Sequence, residues 1–184
     1  MGQDKALLVH HGQPLIVQAC TAALACTSDV SVLTPWPQRY RPLLPPYVSL
    51  HRETQLNSQP APGPLVALHT FLQTLPSDPP PTWLLLLACD WVGLSGAALQ
   101  AGRCELARLT HDAYLPTGPK GWEPLHGFYR TAALRQTLPL AIDQGTYSFQ
   151  AWLQTLAVVP WPLDRTQLLN CNTHEDWQQV QSRG

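Results

Sequence analysis

Charge is scarce in this sequence. Only 12% of its 184 residues are Asp, Glu, Lys or Arg, and the formal net charge is -1. No basic run or stripe occurs, which excludes nucleic-acid binding through a broad phosphate-neutralising face. An anion must instead be held by a few local groups. Long apolar runs are absent too. The longest, WLLLLAC at 83–89, falls far short of the roughly 20 residues that cross a membrane. The opening residues are polar and charged, so they do not read as a secretory signal. Among the five cysteines (Cys20, Cys26, Cys89, Cys104 and Cys171) no pair has CxxC spacing. That argues against a zinc or dithiol redox site and for free thiols in a reducing cytoplasm. Neither Ser95 nor Ser148 stands in a nucleophile elbow, so covalent hydrolase chemistry is not indicated. His10 and His11 are adjacent, and in an extended segment they point apart, which disfavours a shared metal.

What is present is enough for a core. Apolar residues make up 45% of the chain, and this length can bury a single domain. Nineteen prolines cluster mainly between 35 and 81 and read as stiff surface loops. Pro14 sits where a first helical turn accepts proline, with Leu15, Ile16, Ala19, Ala23 and Leu24 on one face. DVSVL at 29–33 reads as a short β-branched strand. GPLVALHTFLQTL reads as a helix with Leu65, Leu68, Leu72 and Leu75 on its core stripe. TWLLLLACD is apolar along its length, which predicts a strand covered on both faces, as in a parallel sheet. Ser95 can cap a helix running to about Leu109. DAYLP and EPLHGFYR read as strands around a turn, and helices follow from Thr131 and Ser148. AVVPW and LLNCN are strand-like. Thr173 and Asp176 stand in a capping-box relation before a terminal helix. The alternation predicts an α/β fold with a mainly parallel sheet flanked by helices.

In such sheets ligands bind beyond the carboxyl ends of the strands. Asp90 stands at that end of the most apolar strand. It reads either as a ligand for a hard cation such as Mg²⁺ or as an ordinary turn acid. Lys5, beside a glycine in a turn, reads as a phosphate contact or a solvated surface charge. Residues 63–65 place a helix N-terminus after a loop, with free N–H groups suited to an anion or a polar base, or simply a proline-started helix. Asn170 and Asn172 fall on one side of a strand end and can read a ligand's donors and acceptors, or cap the last helix. His126 reads as a core histidine.

Singly these signals are weak, but their order is specific. MGQDKALL, GQPLI, GPLVAL, LLLLACD, EPLHGFYR and NCNTHEDW, from residue 1 to about 177, resemble the successive motifs of the bacterial molybdenum cofactor guanylyltransferases. The resemblance implies a GT-A-like, Rossmann-like nucleotidyltransferase fold over a single domain, 1–184. It implies Mg²⁺-dependent transfer of GMP from GTP to the phosphate of molybdopterin, releasing pyrophosphate. Lys5 and Asp90 would then be the catalytic pair. Lys5 would hold GTP phosphates, Asp90 would bind Mg²⁺, and Gly2 would let the backbone approach the nucleotide. Asn170 and Asn172 would belong to the molybdopterin side. A cytoplasmic monomer is implied, with no nucleic-acid or membrane partner but with maturation proteins of molybdenum enzymes as partners. The related cytidylyltransferases, or a non-catalytic GTP- or pterin-binding remnant, are the alternatives.

Three departures carry expectations. The family begins with a strand and turn of the form LAGGxSxR before the MG of MGQDK, which this sequence does not show. The fold is therefore expected to lack its first, central strand, and residues 1–184 are expected to fold poorly or be inactive. The family also carries an acid shortly before GPL that contributes to GTP binding. Here Glu53 is the nearest candidate. In QGTYSFQAWL, Tyr147 and Ser148 stand where many members have basic residues.

Overall fold

The computed structural model describes residues 4–53, 63–78, 80–119, 121–164, 167, 169–170 and 176–178. Asp4 caps a single 3-10 turn, Lys5–Leu7, by accepting the Ala6 N–H. Strands β1 (Val9–His10) and β2 (Gln13–Pro14) follow as an antiparallel hairpin. Its turn residues, His11 (φ 47°) and Gly12 (φ 77°), are both left-handed, as a tight two-residue hairpin requires. The turn brings the His10 and His11 rings to a centroid distance of 3.9 Å. They do not point apart, because the backbone is not extended there.

Helix α1 (Leu15–Cys26) buries Leu15, Ile16, Cys20, Ala23 and Cys26. Ala19 and Leu24 stay half-buried at the edge of that face. Strand β3 (Ser31–Thr34) runs parallel to β4 (Ser49–Arg52). The proline-rich stretch between them is more than a loop. Pro37 opens a short helix, α2 (Pro37–Tyr40), and a 3-10 turn follows at Arg41–Leu43. The Arg41 guanidinium donates to the carbonyls of Leu44, Pro45 and Val48, which satisfies backbone that would otherwise need water. Gly63 (φ 88°) then lets the chain turn into α3 (Pro64–Leu72).

The second half supplies β5 (Trp83–Leu87), β6 (Trp91–Val92) and α4 (Gly96–Glu105). Ser95 caps α4, its Oγ accepting the Ala98 N–H at 3.2 Å. Then come β7 (Ala113–Leu115) and a hairpin of β8 (Thr117–Gly118) with β9 (Gly121–Trp122). Next are β10 (His126–Arg130), α5 (Thr131–Asp143), α6 (Phe149–Leu153), β11 (Val158–Pro160) and β12 (Leu169–Asn170). Thr173 of the expected capping box lies outside the described residues. Trp177 packs with Leu15 and Val92.

The largest sheet has the order β11-β7-β10-β5. Side chains alternate across it as the strand period demands. Ala113, Leu115 and Tyr129 face α3, α5 and α6, with Leu65, Leu134, Leu138 and Trp152 at the centre. Tyr114 and Phe128 face the other way, onto Leu99, Leu106 and Trp161. Helices thus cover both faces, and the α/β architecture stands. The pairing is mixed. β3–β4 and β7–β11 are parallel, but β10 runs antiparallel to both β5 and β7.

Gly127 in β10 shows how tightly the strands fit. A Cβ there would lie 2.4 Å from Leu115 Cδ2 and 2.7 Å from the Tyr114 carbonyl oxygen. Backbone cannot give way as a side-chain tip can. Gly127→Ala is expected to destabilise the fold by about 1–3 kcal/mol, read as a lower urea midpoint at unchanged slope.

β5 departs from expectation. Its five residues, Trp83–Leu87, are all only partly buried. The reason is a groove of about 1110 Å³ bounded on one side by β5 and on the other by β3, with α1, α3 and α4 contributing to its walls. Among the described residues β5 pairs only with β10 and β3 only with β4. Each therefore turns an unpaired edge to the groove. Helices α1 and α4 bridge its two halves. The Gln100 and Arg103 side chains of α4 donate to the carbonyls of Ala25 and Cys26 that end α1. Gly96 comes so close that a Cβ on it would sit 2.6 Å from Ala25 Cβ.

Candidate active site

The site begins with an acid that holds a turn. Asp4 Oδ1 accepts the Ala6 N–H at 3.2 Å. Its Oδ2 accepts from Arg39 at 2.8 Å and from the Tyr40 hydroxyl at 2.7 Å. Burial alone would raise the Asp4 carboxyl. The hydrogen bonds from Tyr40, Arg39 and Ala6 outweigh it and hold the group below the usual carboxylate range. Burial, with the Asp4 hydrogen bond, pushes the Tyr40 phenol up to about 12, so it stays a donor. The turn next to α1 is thereby tied to α2, more than thirty residues away in sequence.

This clamp presents Lys5. Its Nζ stands 3.7 Å from Asp90 Oδ2, with the two side chains 33% and 23% exposed. A ligand can therefore reach both. Asp90 follows the end of β5 through Ala88 and Cys89. Ala88 is held by its N–H to the Leu125 carbonyl at 2.8 Å. Its own carbonyl oxygen faces His126 Nε2 at 3.3 Å. His126 is 1% exposed, and burial pushes its imidazole down to about 3, so at neutral pH it is an uncharged core residue.

Glu53 borders the same groove as Lys5 and Asp90. Its backbone N–H donates to the Thr34 carbonyl at 3.1 Å, and burial raises its carboxyl above the ordinary value. Pro64, at the start of α3, lines the groove as well. Asn170 enters through its backbone, which pairs with Trp91, the residue after Asp90. Gly2 and Asn172 lie outside the described residues. Ser148 spends its hydroxyl on capping α6, accepting the Ala151 N–H at 3.4 Å, and Tyr147 is exposed. Burial pushes the Cys20 and Cys89 thiols up to about 11. Neither is a nucleophile at neutral pH.

Lys5, Glu53 and Asp90 thus share one cavity rim although they come from three distant segments. A cation paired with a carboxylate at a strand end is poised to exchange partners. Ammonium can pass to phosphate oxygens, and carboxylate to a metal ion. The sequence points to Lys5 and Asp90 but not to the clamp. Asp4 carried a signal, an acid placed to cap a turn. Arg39 and Tyr40 carried none, because only the fold brings them to it.

The sequence model of the MobA-like NTP transferase domain matches residues 1–158. The chain belongs to this family. It is a nucleotidyltransferase. A probable molybdenum cofactor guanylyltransferase of Synechococcus elongatus is 43% identical, over 98% of this chain and 91% of its own. Two solved structures share the MobA-like fold. The molybdopterin-guanine dinucleotide biosynthesis protein A of Archaeoglobus fulgidus superposes with a TM-score of 0.71 at 19% identity, over 99% of this chain and 91% of its own. A Mycobacterium tuberculosis protein in complex with manganese gives 0.68 at 13% identity, over 98% and 93%.

Among the described residues of this MobA-like transferase no group of three or more His, Cys, Asp or Glu could cage a metal. A single accessible carboxylate fits a hard cation that completes its shell with substrate phosphates and water, as Mg²⁺ does. It does not fit a structural zinc.

Asp4 yields a prediction. Asp4→Ala strands the hydroxyl of buried Tyr40 and uncaps the Lys5 turn, while the exposed Arg39 passes to water. The substitution is expected to cost about 1–3 kcal/mol of stability, seen in a chemical melt. Because the folded carboxyl is depressed, its contribution is present above the unfolded value near pH 4. It is lost as pH falls through the lowered folded value. The difference between parent and variant should therefore shrink on acidification.

Proposed function

We propose that this chain transfers GMP from GTP to the terminal phosphate of molybdopterin, forming the guanine dinucleotide cofactor and pyrophosphate. The observation that carries the proposal is the meeting of Lys5 Nζ and Asp90 at 3.7 Å on the groove rim. Lys5 binds and orients the GTP phosphates. Asp90 holds Mg²⁺, which when bound neutralises phosphate charge at the reacting centre. Glu53 is a nucleotide contact, Gly2 gives the backbone access to the phosphates, and Asn170 and Asn172 bind the molybdopterin side. No strong base is needed, because the nucleophile is the acceptor's own phosphate. What the residues must supply is alignment and charge neutralisation. The relative named as a guanylyltransferase supports guanine over cytosine, and the manganese complex of a fold neighbour supports a divalent cation.

The proposal takes 1–184 as one nucleotidyltransferase domain that acts as a cytoplasmic monomer and hands its product to maturation proteins of molybdenum enzymes. The test is incubation with Mg²⁺, molybdopterin and either GTP or CTP, followed by chromatography of products. A guanine dinucleotide and pyrophosphate are expected with GTP. Product formed only with CTP would move the chain to the cytidylyltransferases, and nucleotide binding with no product would make it a passive binder.

A further inference from the structure

Asp90 is flanked on both sides by contacts to one buried ring. Two residues before it, the Ala88 carbonyl oxygen faces His126 Nε2 at 3.3 Å. One residue after it, the Trp91 indole lies against the same imidazole, centroids 3.9 Å apart and tilted by 36°. The Leu125 carbonyl takes the Ala88 N–H, so residues 125 and 126 hold both backbone polar groups of Ala88, one on each of the two peptides that flank it. His126 itself is fixed in the ladder opposite Leu87. Trp91 in turn pairs through its backbone with Asn170. The ring is 1% exposed.

We propose that His126 is a positioning residue. Its imidazole sets the turn that carries Asp90 and, through Trp91, ties that carboxylate to the strand that carries Asn170. The inference rests on the reading of Asp90 as the cation-binding carboxylate. The physical reason is precision. Asp90 stands in a turn beyond the last ladder pair of β5, where no strand neighbour fixes it. A misplacement of about 1 Å in such a site costs on the order of 10²-fold. An aromatic of the same breadth would fill the core equally well. What an aromatic hydrocarbon cannot do is donate to the carbonyl of half-buried Ala88, which would then lose that partner and its fixed direction.

The two roles of the ring can be separated. His126→Phe keeps ring and volume but loses the donor. His126→Gln loses the ring but can place an amide N–H near the Nε2 position. Binding of the fluorescent nucleotide mant-GTP to the full chain is measured with Mg²⁺ and again with EDTA, alongside a thermal melt. Asp90→Asn serves as the reference. His126→Phe is expected to melt close to the parent, to weaken Mg²⁺-dependent binding about tenfold, and to leave binding in EDTA unchanged. His126→Gln should stay within about threefold of the parent in Mg²⁺. If Asp90→Asn loses the Mg²⁺ effect and His126→Phe keeps it in full, His126 is packing only and the inference is overturned. If both keep it, the reading of Asp90 itself fails, and the inference with it.

Discussion

Asp90→Asn is expected to reduce nucleotidyl transfer by about 10²–10³-fold or more while leaving the fold intact. The two effects have different sizes for a physical reason. Lys5 and Asp90 are each partly exposed, and such ion pairs contribute at most about 1 kcal/mol to stability. A loss of 10³ in rate corresponds to about 4 kcal/mol at the transition state, where charge accumulates on phosphate. Asparagine keeps the shape and one acceptor oxygen but not the negative charge that a cation needs. Lys5→Met should fall in the same range. The double variant should be little worse than the worse single, because in the proposed function both residues serve one charge-neutralising unit. Product chromatography at saturating Mg²⁺, with a thermal melt beside it, checks all three. A variant that retains turnover within threefold of the parent would remove Asp90 from the chemistry.

The second large effect concerns the groove. It spans about 1110 Å³ and is lined by Lys5 and Asp90, which stay partly exposed, so it is filled by water. The partly buried residues of β5 forfeit part of the roughly 1.5–3 kcal/mol that each full burial would bring. The apolar wall that β5 turns to the groove is thus expected to bind the dye ANS at neutral pH. Absence of dye binding would sink this expectation.

Much of the site was legible because its residues stand at element ends. Lys5 stands beside a glycine, and Asp90 ends an apolar run, so each announces a turn at the edge of a sheet. The caps at Ser95 and Ser148 were readable for the same reason. Strand direction was not. The side chains of EPLHGFYR alternate alike whether the strand runs parallel or antiparallel to β5, so the mixed sheet could not be read from them. Continuous apolarity in WLLLL implied two covered faces. That rule presumes a neighbour on both edges, and among the described residues β5 has one on a single edge. The joint role of Asp4, Arg39 and Tyr40 was hidden for another reason. A hydrogen bond across thirty-five residues leaves no local pattern.

The contact between α1 and α4 has a mechanical consequence. Among the described residues the β3–β4 ribbon and the four-stranded sheet do not share a continuous backbone ladder, so the helix pair acts as a spine between two pages. Gly96 keeps that spine thin, and the two carbonyl contacts at the end of α1 stop it from sliding. Lys5 rides on the α1 page and Asp90 on the other. Any change in the spine's angle is therefore geared directly into the spacing of the two charges, and a bulkier residue at position 96 would jack the rim apart from the far side of the molecule.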